Sequence, residues 1–140
     1  MKKLLFAAAA ASVGVVLAAC QPAQSGTFEL SATGVAFEDG SYTWLASSGC
    51  DAPAEGFDYS GYLKDTAADG NGVFVQAKVD GYGWTPRIYH SDGSGTRKWI
   101  DRSNVHVDGD VCYHETGKVQ VCQDRGTLFP DICTTKNLAR

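Results

Sequence analysis

Short runs in which apolar and polar residues alternate cover most of the chain, and turn-forming residues separate them. From Thr27 onward the turn signals recur every 8 to 12 residues, and no segment carries apolar side chains at helical spacing over three turns. This pattern predicts a domain built from short β-strands. The nine predicted strands are Thr27–Ala32, Ser41–Ala46, Phe57–Lys64, Val73–Asp80, Pro86–His90, Thr96–Asp101, Asn104–Val107, Val111–Glu115 and Val119–Gln123.

Two pairs of these strands are predicted to form hairpins. In Val73–Val79 every second residue is Val or Ala and the residues between them are Phe, Gln and Lys, as in a half-buried strand. An Asp-Gly-Asn-Gly turn joins this strand to Phe57–Lys64, which alternates in the same way. A second hairpin, with its turn at Gly117, joins Val111–Glu115 to Val119–Gln123. The sequence therefore predicts a single antiparallel β-sandwich or barrel of about eight or nine strands.

The first twenty residues have a different pattern. Lys2 and Lys3 precede Leu4–Leu17, an apolar run of 14 residues that is interrupted only by one Ser and one Gly. A basic start followed by such a run is typical of a secretory signal peptide, and the run is too short to span a bilayer comfortably. It ends in Leu-Ala-Ala-Cys at residues 17–20.

The residues at 17–20 resemble the lipobox of bacterial lipoproteins. The resemblance implies that residues 1–19 are removed, that Cys20 receives a diacylglyceryl group, and that its freed amine is usually acylated. Two or more acyl chains give a stable membrane anchor, so the protein is expected in the cell envelope. It would lie at the outer membrane of a Gram-negative source, where Gln21 permits export, or on the outer face of a Gram-positive cell membrane. Residues 20–26 then form a tether and residues 27–140 the β domain. The alternative is an ordinary secreted protein with a spare thiol.

The other four cysteines are an even number in an exported chain, which predicts two disulfides. The second hairpin places Cys112 opposite Cys122, and opposed strand residues have Cβ atoms about 4.5 to 5.5 Å apart. We therefore predict Cys112–Cys122 and, with the remaining two, Cys50–Cys133. A shift of one residue in the turn would undo the first pairing, which leaves Cys122–Cys133 as the main alternative. The wide spacings do not suggest zinc.

Charge and motifs limit the partners and the chemistry. The chain carries 12 basic and 16 acidic side chains, and removal of the signal peptide leaves a formal charge of −6. This acidity argues against nucleic acid as a partner and favours a basic protein, if the partner is a protein. His90, His106 and His114 do not form a recognisable nucleophile arrangement, and the acidic run 65–71 lacks two ligands of a calcium loop. The sequence therefore predicts no catalytic residue, metal or cofactor.

Aromatic and basic residues are concentrated between residues 81 and 102. Trp84 follows Gly-Tyr-Gly, which is an unusual way to build a core, and Arg97 and Trp99 lie close together in a predicted strand. Flat aromatic faces beside polar side chains are common in sandwiches that bind sugars. We take Trp84, Arg97 and Trp99 as candidate binding residues, with core packing as the alternative for each Trp.

Two resemblances concern the body of the chain. Residues from about 57 to 125 look like small exported β-domain proteins of actinobacteria, to which no activity is generally assigned. The resemblance rests on Asp-Thr-Ala-Ala-Asp-Gly before a strand and on Gly-Ser-Gly-Thr before Lys-Trp. Ser-Gly-Thr-Arg at 94–97 is similar to the Ser-Gly-x-Arg motif of lysozyme-inhibitor lipoproteins, in which an aromatic residue follows. Here Lys98 stands at that place and Trp99 comes next.

These observations lead to one expected function and two alternatives. The expected function is a membrane-tethered, non-catalytic domain that binds an envelope or surface ligand. The first alternative is a protein inhibitor of a basic cell-wall hydrolase such as lysozyme, with Arg97 reaching the carboxylates of the enzyme. The second is an enzyme that acts on glycans.

Overall fold

The computed structural model describes residues 24–45, 56–106 and 116–140. These residues form eight β-strands in two four-stranded antiparallel sheets, so the predicted all-β class and the sandwich are confirmed. The strands are β1 (Ser25–Ala32), β2 (Val35–Trp44), β3 (Gly56–Asp65), β4 (Gly72–Val79), β5 (Ile88–His90), β6 (Arg97–His106), β7 (Thr116–Asp124) and β8 (Ile132–Ala139). The described residues include no helix long and apolar enough to cross a membrane.

The first sheet has the strand order β1-β2-β3-β6 and the second has the order β5-β4-β7-β8. Side chains from both sheets fill the space between them. The predicted alternation of β4 is confirmed for its Val and Ala side chains, which all belong to the core. The prediction that the strand is half-buried is wrong, because Phe74 and Gln76 on its other face are also buried. The buried apolar side chains of the core are Phe28, Leu30, Val35, Phe37, Trp44, Phe57, Tyr59, Leu63, Val73, Val75, Ala77, Val79, Ile100, Val105, Val119, Val121 and Leu138.

The first predicted hairpin is wrong, because β3 and β4 lie in opposite sheets. β3 pairs with β2 and β6, whereas β4 pairs with β5 and β7. The turn-forming segment therefore crosses between sheets, which pack about 10 Å apart. Its two carboxylates shape it, since Ala67 N donates to Asp65 Oδ1 and Asn71 N donates to Asp69 Oδ1, each over 3.0 Å. The prediction that this segment forms a turn is therefore confirmed, but the predicted pairing of the two strands is wrong.

The second predicted hairpin is also wrong, because Gly117 lies inside β7 and not in a turn. It pairs with Val79 of β4 and Leu138 of β8. A Cβ atom at this position would lie 2.5 Å from Phe57 Cε1 and 3.2 Å from Trp44 Cη2. Gly117 is therefore needed for close approach of the two sheets. The strand predicted at residues 111–115 lies outside the described residues.

The disulfide follows from the real partner of β7, which is β8. Cys122 and Cys133 are directly opposed in this pair, with Cα atoms 4.1 Å apart, and their sulfurs are bonded. The preferred pairings Cys112–Cys122 and Cys50–Cys133 are therefore wrong, and the alternative Cys122–Cys133 is confirmed. Cys20, Cys50 and Cys112 lie outside the described residues.

Several strand boundaries also differ from the prediction. β2 begins at Val35, although the predicted strand began at Ser41. β6 is one strand where two were predicted, because a bulge bridges the apparent gap near Asn104. β1 begins at Ser25, so the last two residues assigned to the tether are part of the sheet.

Candidate ligand-binding site

The loop between β4 and β5 is fixed at its start by charge. Asp80 accepts hydrogen bonds from Lys118 Nζ over 2.8 Å and from Thr116 Oγ1 over 2.6 Å. These two bonds, that from Lys118 first, lower the pKa of the Asp80 carboxyl below its usual value. Asp80 is therefore ionised and already paired at the point where the chain leaves the sheet.

Further hydrogen bonds hold the rest of this loop against the edge of β4. Tyr82 N donates to Val79 O over 3.1 Å, which tightens the first turn. Thr85 and Ala77 are joined twice, from Thr85 N to Ala77 O over 2.8 Å and from Ala77 N to Thr85 Oγ1 over 3.0 Å. These bonds extend the β4–β5 ladder and leave Tyr82 and Trp84 over the gap between the two sheets.

On the other side of this gap, a bulge in β6 positions two polar side chains. Arg102 lies opposite Tyr59, but the next paired residue of β6 is Val105, opposite Phe57. Asn104 takes up the extra length with φ of 56°, a conformation that Asn tolerates better than most residues. Its N–H donates to Asp58 Oδ1 over 2.8 Å.

The loop and the bulge enclose an open cavity of about 310 Å³, which we call the edge cavity. One wall is aromatic and the opposite wall is polar. Its lining residues are Tyr82, Gly83, Trp84, Thr85, Pro86, Arg102 and Asn104. A volume near the lower end of the range for small-molecule sites, about 300 to 1,000 Å³, fits a ligand of one ring.

Arg102 is the charged residue in the described lining of the cavity, and no described carboxylate forms an ion pair with it. Its buried Nε has no hydrogen-bond partner, and no hydrogen bond or ion pair joins the side chain to another described residue. By contrast, Lys64 pairs with Glu38 over 2.9 Å and Arg87 pairs with Asp131 over 3.4 Å. The unpaired guanidinium gives the cavity a positive character.

Tyr59 adds a second unpaired donor beside Arg102. The residue is 2% exposed, and its hydroxyl has no hydrogen-bond partner. Burial raises the pKa of Tyr59 to about 12, and the positive charge of Arg102 opposes part of that rise. The side chain is therefore a neutral phenol over the physiological pH range.

The structure divides the three sequence-predicted binding residues between two surfaces. Trp84 lies on the wall of the edge cavity, is 38% exposed, and has Lys78 Nζ 5.1 Å from its ring centroid. Arg97 and Trp99 lie instead on the outer face of the first sheet, where both contact Tyr62.

We call this second surface the outer patch. The Arg97 guanidinium lies 4.1 Å from the centroid of the Tyr62 ring, and the Trp99 ring meets Tyr62 edge-on at 4.9 Å. Trp99 is 51% exposed. Arg97 is the first residue of β6, directly after the turn at residues 94–95. Its guanidinium is already engaged by an aromatic ring, in contrast to that of Arg102.

His90 lies in an arrangement that superficially resembles a catalytic triad. Its Nε2 is 3.0 Å from Thr96 Oγ1, and its Nδ1 is 3.7 Å from Asp92 Oδ2. However, the Thr96 hydroxyl donates to Gly93 O, so its proton does not point toward His90. The distance to Asp92 also exceeds that of a hydrogen bond. These contacts stabilise the turn between β5 and β6.

The described residues contain no group of three or more His, Cys, Asp or Glu side chains that could hold a metal ion. The carboxylates of the acidic run 65–71 are used within the fold. Asp69 Oδ2, for example, accepts a hydrogen bond from Gln123 Nε2 over 2.7 Å.

Arg102 lies at the end of the region 81–102 that is rich in aromatic and basic residues, but it was not among the predicted binding residues. The available signal was a break in the pattern of β6. Ile100 and Val105 both face the core although five positions separate them, which regular alternation does not allow. An odd offset between two core residues of one strand indicates a bulge, and bulges re-aim side chains.

No family model, no curated protein and no solved structure matches this chain. The function therefore has to be argued from the site.

Proposed function

We propose that the protein is a lipoprotein, tethered to a membrane through Cys20, whose β-sandwich binds a ligand of the cell envelope or surface without catalysis. The lipobox resemblance supports the tether, and the start of β1 at Ser25 leaves only four residues between Cys20 and the sheet. The domain would therefore work next to its membrane.

The edge cavity is the observation that carries the binding role. It combines an aromatic wall, a polar wall and an unpaired guanidinium, which is the usual composition of a small-ligand site. Its described lining includes no His, Cys, Asp or Glu, the side chains that most often exchange protons with a substrate. This composition favours binding over catalysis.

The test measures co-sedimentation of the full chain with insoluble envelope glycan prepared from bacterial cells. The chain is purified in a detergent that lacks a sugar headgroup. Trp84→Ala should abolish co-sedimentation, because Trp84 lines the cavity. Trp99→Ala is the matched control on the outer patch and should co-sediment like the unmodified chain. If neither variant differs from the unmodified chain, or if the unmodified chain stays in solution, the proposed role of the cavity is wrong.

Inhibition of a basic cell-wall hydrolase is the second candidate, because the turn before Arg97 is rigidly held. Gly95 N donates to Asp65 O over 2.8 Å, and Asp65 N donates to Thr96 O over 3.3 Å. An exposed arginine after a fixed turn could enter the cleft of an enzyme. The chain should then inhibit lysozyme at stoichiometric concentration in 0.15 M salt, and Arg97→Ala should lose inhibition while keeping its fold. No inhibition at that salt concentration would remove this candidate.

A further inference from the structure

We infer that the ligand of the edge cavity is an anionic sugar unit, held by an ion pair with Arg102 and by packing of its ring against Trp84. The inference rests on the proposed function, since it names the ligand class of the same site. Two observations support it: the unpaired Arg102 and the exposed Trp84 line the same cavity, and the volume of that cavity fits a single sugar ring.

The first step concerns the charge of Arg102. A partly buried guanidinium without a counter-ion is unfavourable, because its lost hydration is not replaced. Two carboxylates on neighbouring segments have partners of their own: Asp58 accepts a hydrogen bond from the N–H of Asn104, and Asp80 accepts from Lys118 and Thr116. No described residue supplies an acceptor for the buried Nε, and a ligand carboxylate or phosphate would fit the planar fork of arginine.

The second step concerns selectivity against other charges. The described lining of the cavity includes Arg102 and no acidic side chain, which favours an anionic ligand over a cationic one. Lys78 adds a second positive charge next to Trp84, with Nζ 5.1 Å from the ring centroid. An anion would therefore be favoured even though the mature chain is acidic as a whole.

The third step concerns the rest of the ligand. Trp84 offers a flat apolar surface that remains 38% exposed, and Tyr82 lines the same wall. The C–H face of a pyranose packs well on such a surface. Thr85 also lines the cavity, and its hydroxyl, which accepts from Ala77 N, can still donate a hydrogen bond to a sugar oxygen. An inorganic anion would fill only the arginine end of the cavity.

The first experiment compares three sugars that share one ring. Glucuronate, glucose 6-phosphate and glucose are titrated by calorimetry into the full chain in a detergent without a sugar headgroup. We expect at least one of the two anionic sugars to bind at least about tenfold more tightly than glucose. Their relative affinities identify the anion as a carboxylate or a phosphate.

The second experiment uses matched arginines on the same strand. Arg102→Met should weaken binding of the anionic sugar about tenfold or more, because a charge-assisted hydrogen bond is lost. Arg97→Met removes the same charge on the outer patch and should leave the affinity unchanged. Circular dichroism and thermal unfolding check that both variants fold, and Arg102→Lys provides a version that keeps the charge.

The outcomes separate this inference from the function on which it rests. Equal affinity for glucose and for both anionic sugars, or an unchanged affinity of the Arg102→Met variant, overturns the anionic ligand. Failure of both anionic sugars to bind overturns it as well. In each case the binding role survives if envelope glycan still retains the unmodified chain but not the Trp84→Ala variant. Loss of that retention difference overturns both proposals.

Discussion

At the scale of single residues, two described polar groups without partners lie on neighbouring strands, and one of them lines the edge cavity. Most polar side chains of the domain are satisfied locally, as in the ladder from Gln76 to Gln120 over 2.7 Å and from Gln120 to Thr135 over 3.0 Å. Tyr59 and Arg102 are opposed on neighbouring strands, and each has a buried polar atom without a partner. Such atoms reduce stability, and functional sites are a common reason for keeping them.

The hydroxyl of Tyr59 gives the first prediction. The Tyr59→Phe variant should be as stable as the unmodified chain at pH 7, or more stable by about 1 kcal/mol, because the buried hydroxyl has no partner. Above pH 10 the two should diverge, since the pKa of Tyr59 is about 12 in the folded state and 10.0 as its ordinary value. The folded pKa is raised, so this stability is complete below pH 10 and is lost as the pH rises to about 12.

The measurement is urea unfolding of both proteins from pH 7 to 12. The unmodified chain should lose about 2 to 3 kcal/mol more than Tyr59→Phe over the last two pH units. The other tyrosines and the lysines are present in both proteins and cancel in the difference. Parallel pH profiles would show that Tyr59 ionises normally in the fold.

At the scale of strands, the elements that the sequence revealed are those with a strong pattern of burial. β4 could be recognised because its core-facing residues are all Val or Ala. β8 (Ile132–Ala139) was missed because it lies at a sheet edge and, of its side chains, only Leu138 is buried. Hydrogen bonds to β7 define this strand, and hydrogen bonds leave no hydrophobic pattern in a sequence.

Local sequence signals could not predict which strands pair with each other. The Asp-Gly-Asn-Gly run has strong turn chemistry, but the same chemistry serves a crossing between sheets as well as a hairpin. Gly117 was taken for a turn residue because glycine is common in turns. A glycine is needed at this position because Phe57 and Trp44 of the opposite sheet occupy the space of a Cβ atom, and these contacts are distant in sequence.

The position of Gly117 gives the second prediction. Gly117→Ala should lower the free energy of unfolding by about 1 to 3 kcal/mol, because the new methyl group would overlap Phe57. Gly83→Ala is the control, since a Cβ atom there meets nothing within 4 Å, and its effect should stay within about 0.5 kcal/mol. Denaturant unfolding measures both. Equal small effects would mean that Gly117 lies in an open turn after all.

The β7–β8 pair gives the third prediction. Replacing Cys122 and Cys133 together by Ala should cost about 2 to 4 kcal/mol of stability, because the bond closes a loop of sequence separation 11 and fastens an edge strand. Peptide mapping of the oxidised chain should recover a peptide that joins these two residues. Four cysteines follow Cys20, and this pair leaves Cys50 and Cys112. The prediction of two disulfides therefore requires a peptide that joins Cys50 to Cys112. A free thiol on either residue would contradict it.

At the scale of the whole molecule, the chain enters the sandwich at the same end as the edge cavity. Gln24 O accepts a hydrogen bond from Trp44 N over 2.6 Å, Trp44 approaches Gly117, and Gly117 pairs with Val79 just before the loop of the cavity. The exposed Leu128, in the loop between β7 and β8, lies at the opposite end. A tether at residue 20 would therefore keep the cavity close to the membrane.

This arrangement makes the anchor part of the proposed binding role, and it leads to the last prediction. Four residues, 21–24, separate Cys20 from β1, and even fully extended they span only about 14 Å. Cys20→Ser removes the sulfur that the lipobox resemblance assigns to the lipid, so the variant should move from the membrane fraction to the soluble fraction. In detergent phase separation, the unmodified chain should enter the detergent phase and the variant the aqueous phase, while its far-ultraviolet circular dichroism stays that of the β-sandwich. Gln21→Ala, which leaves the lipobox intact, is the matched control and should enter the detergent phase. If Cys20→Ser is still found there, the protein is held by something other than a lipid on Cys20, and the lipoprotein proposal is wrong.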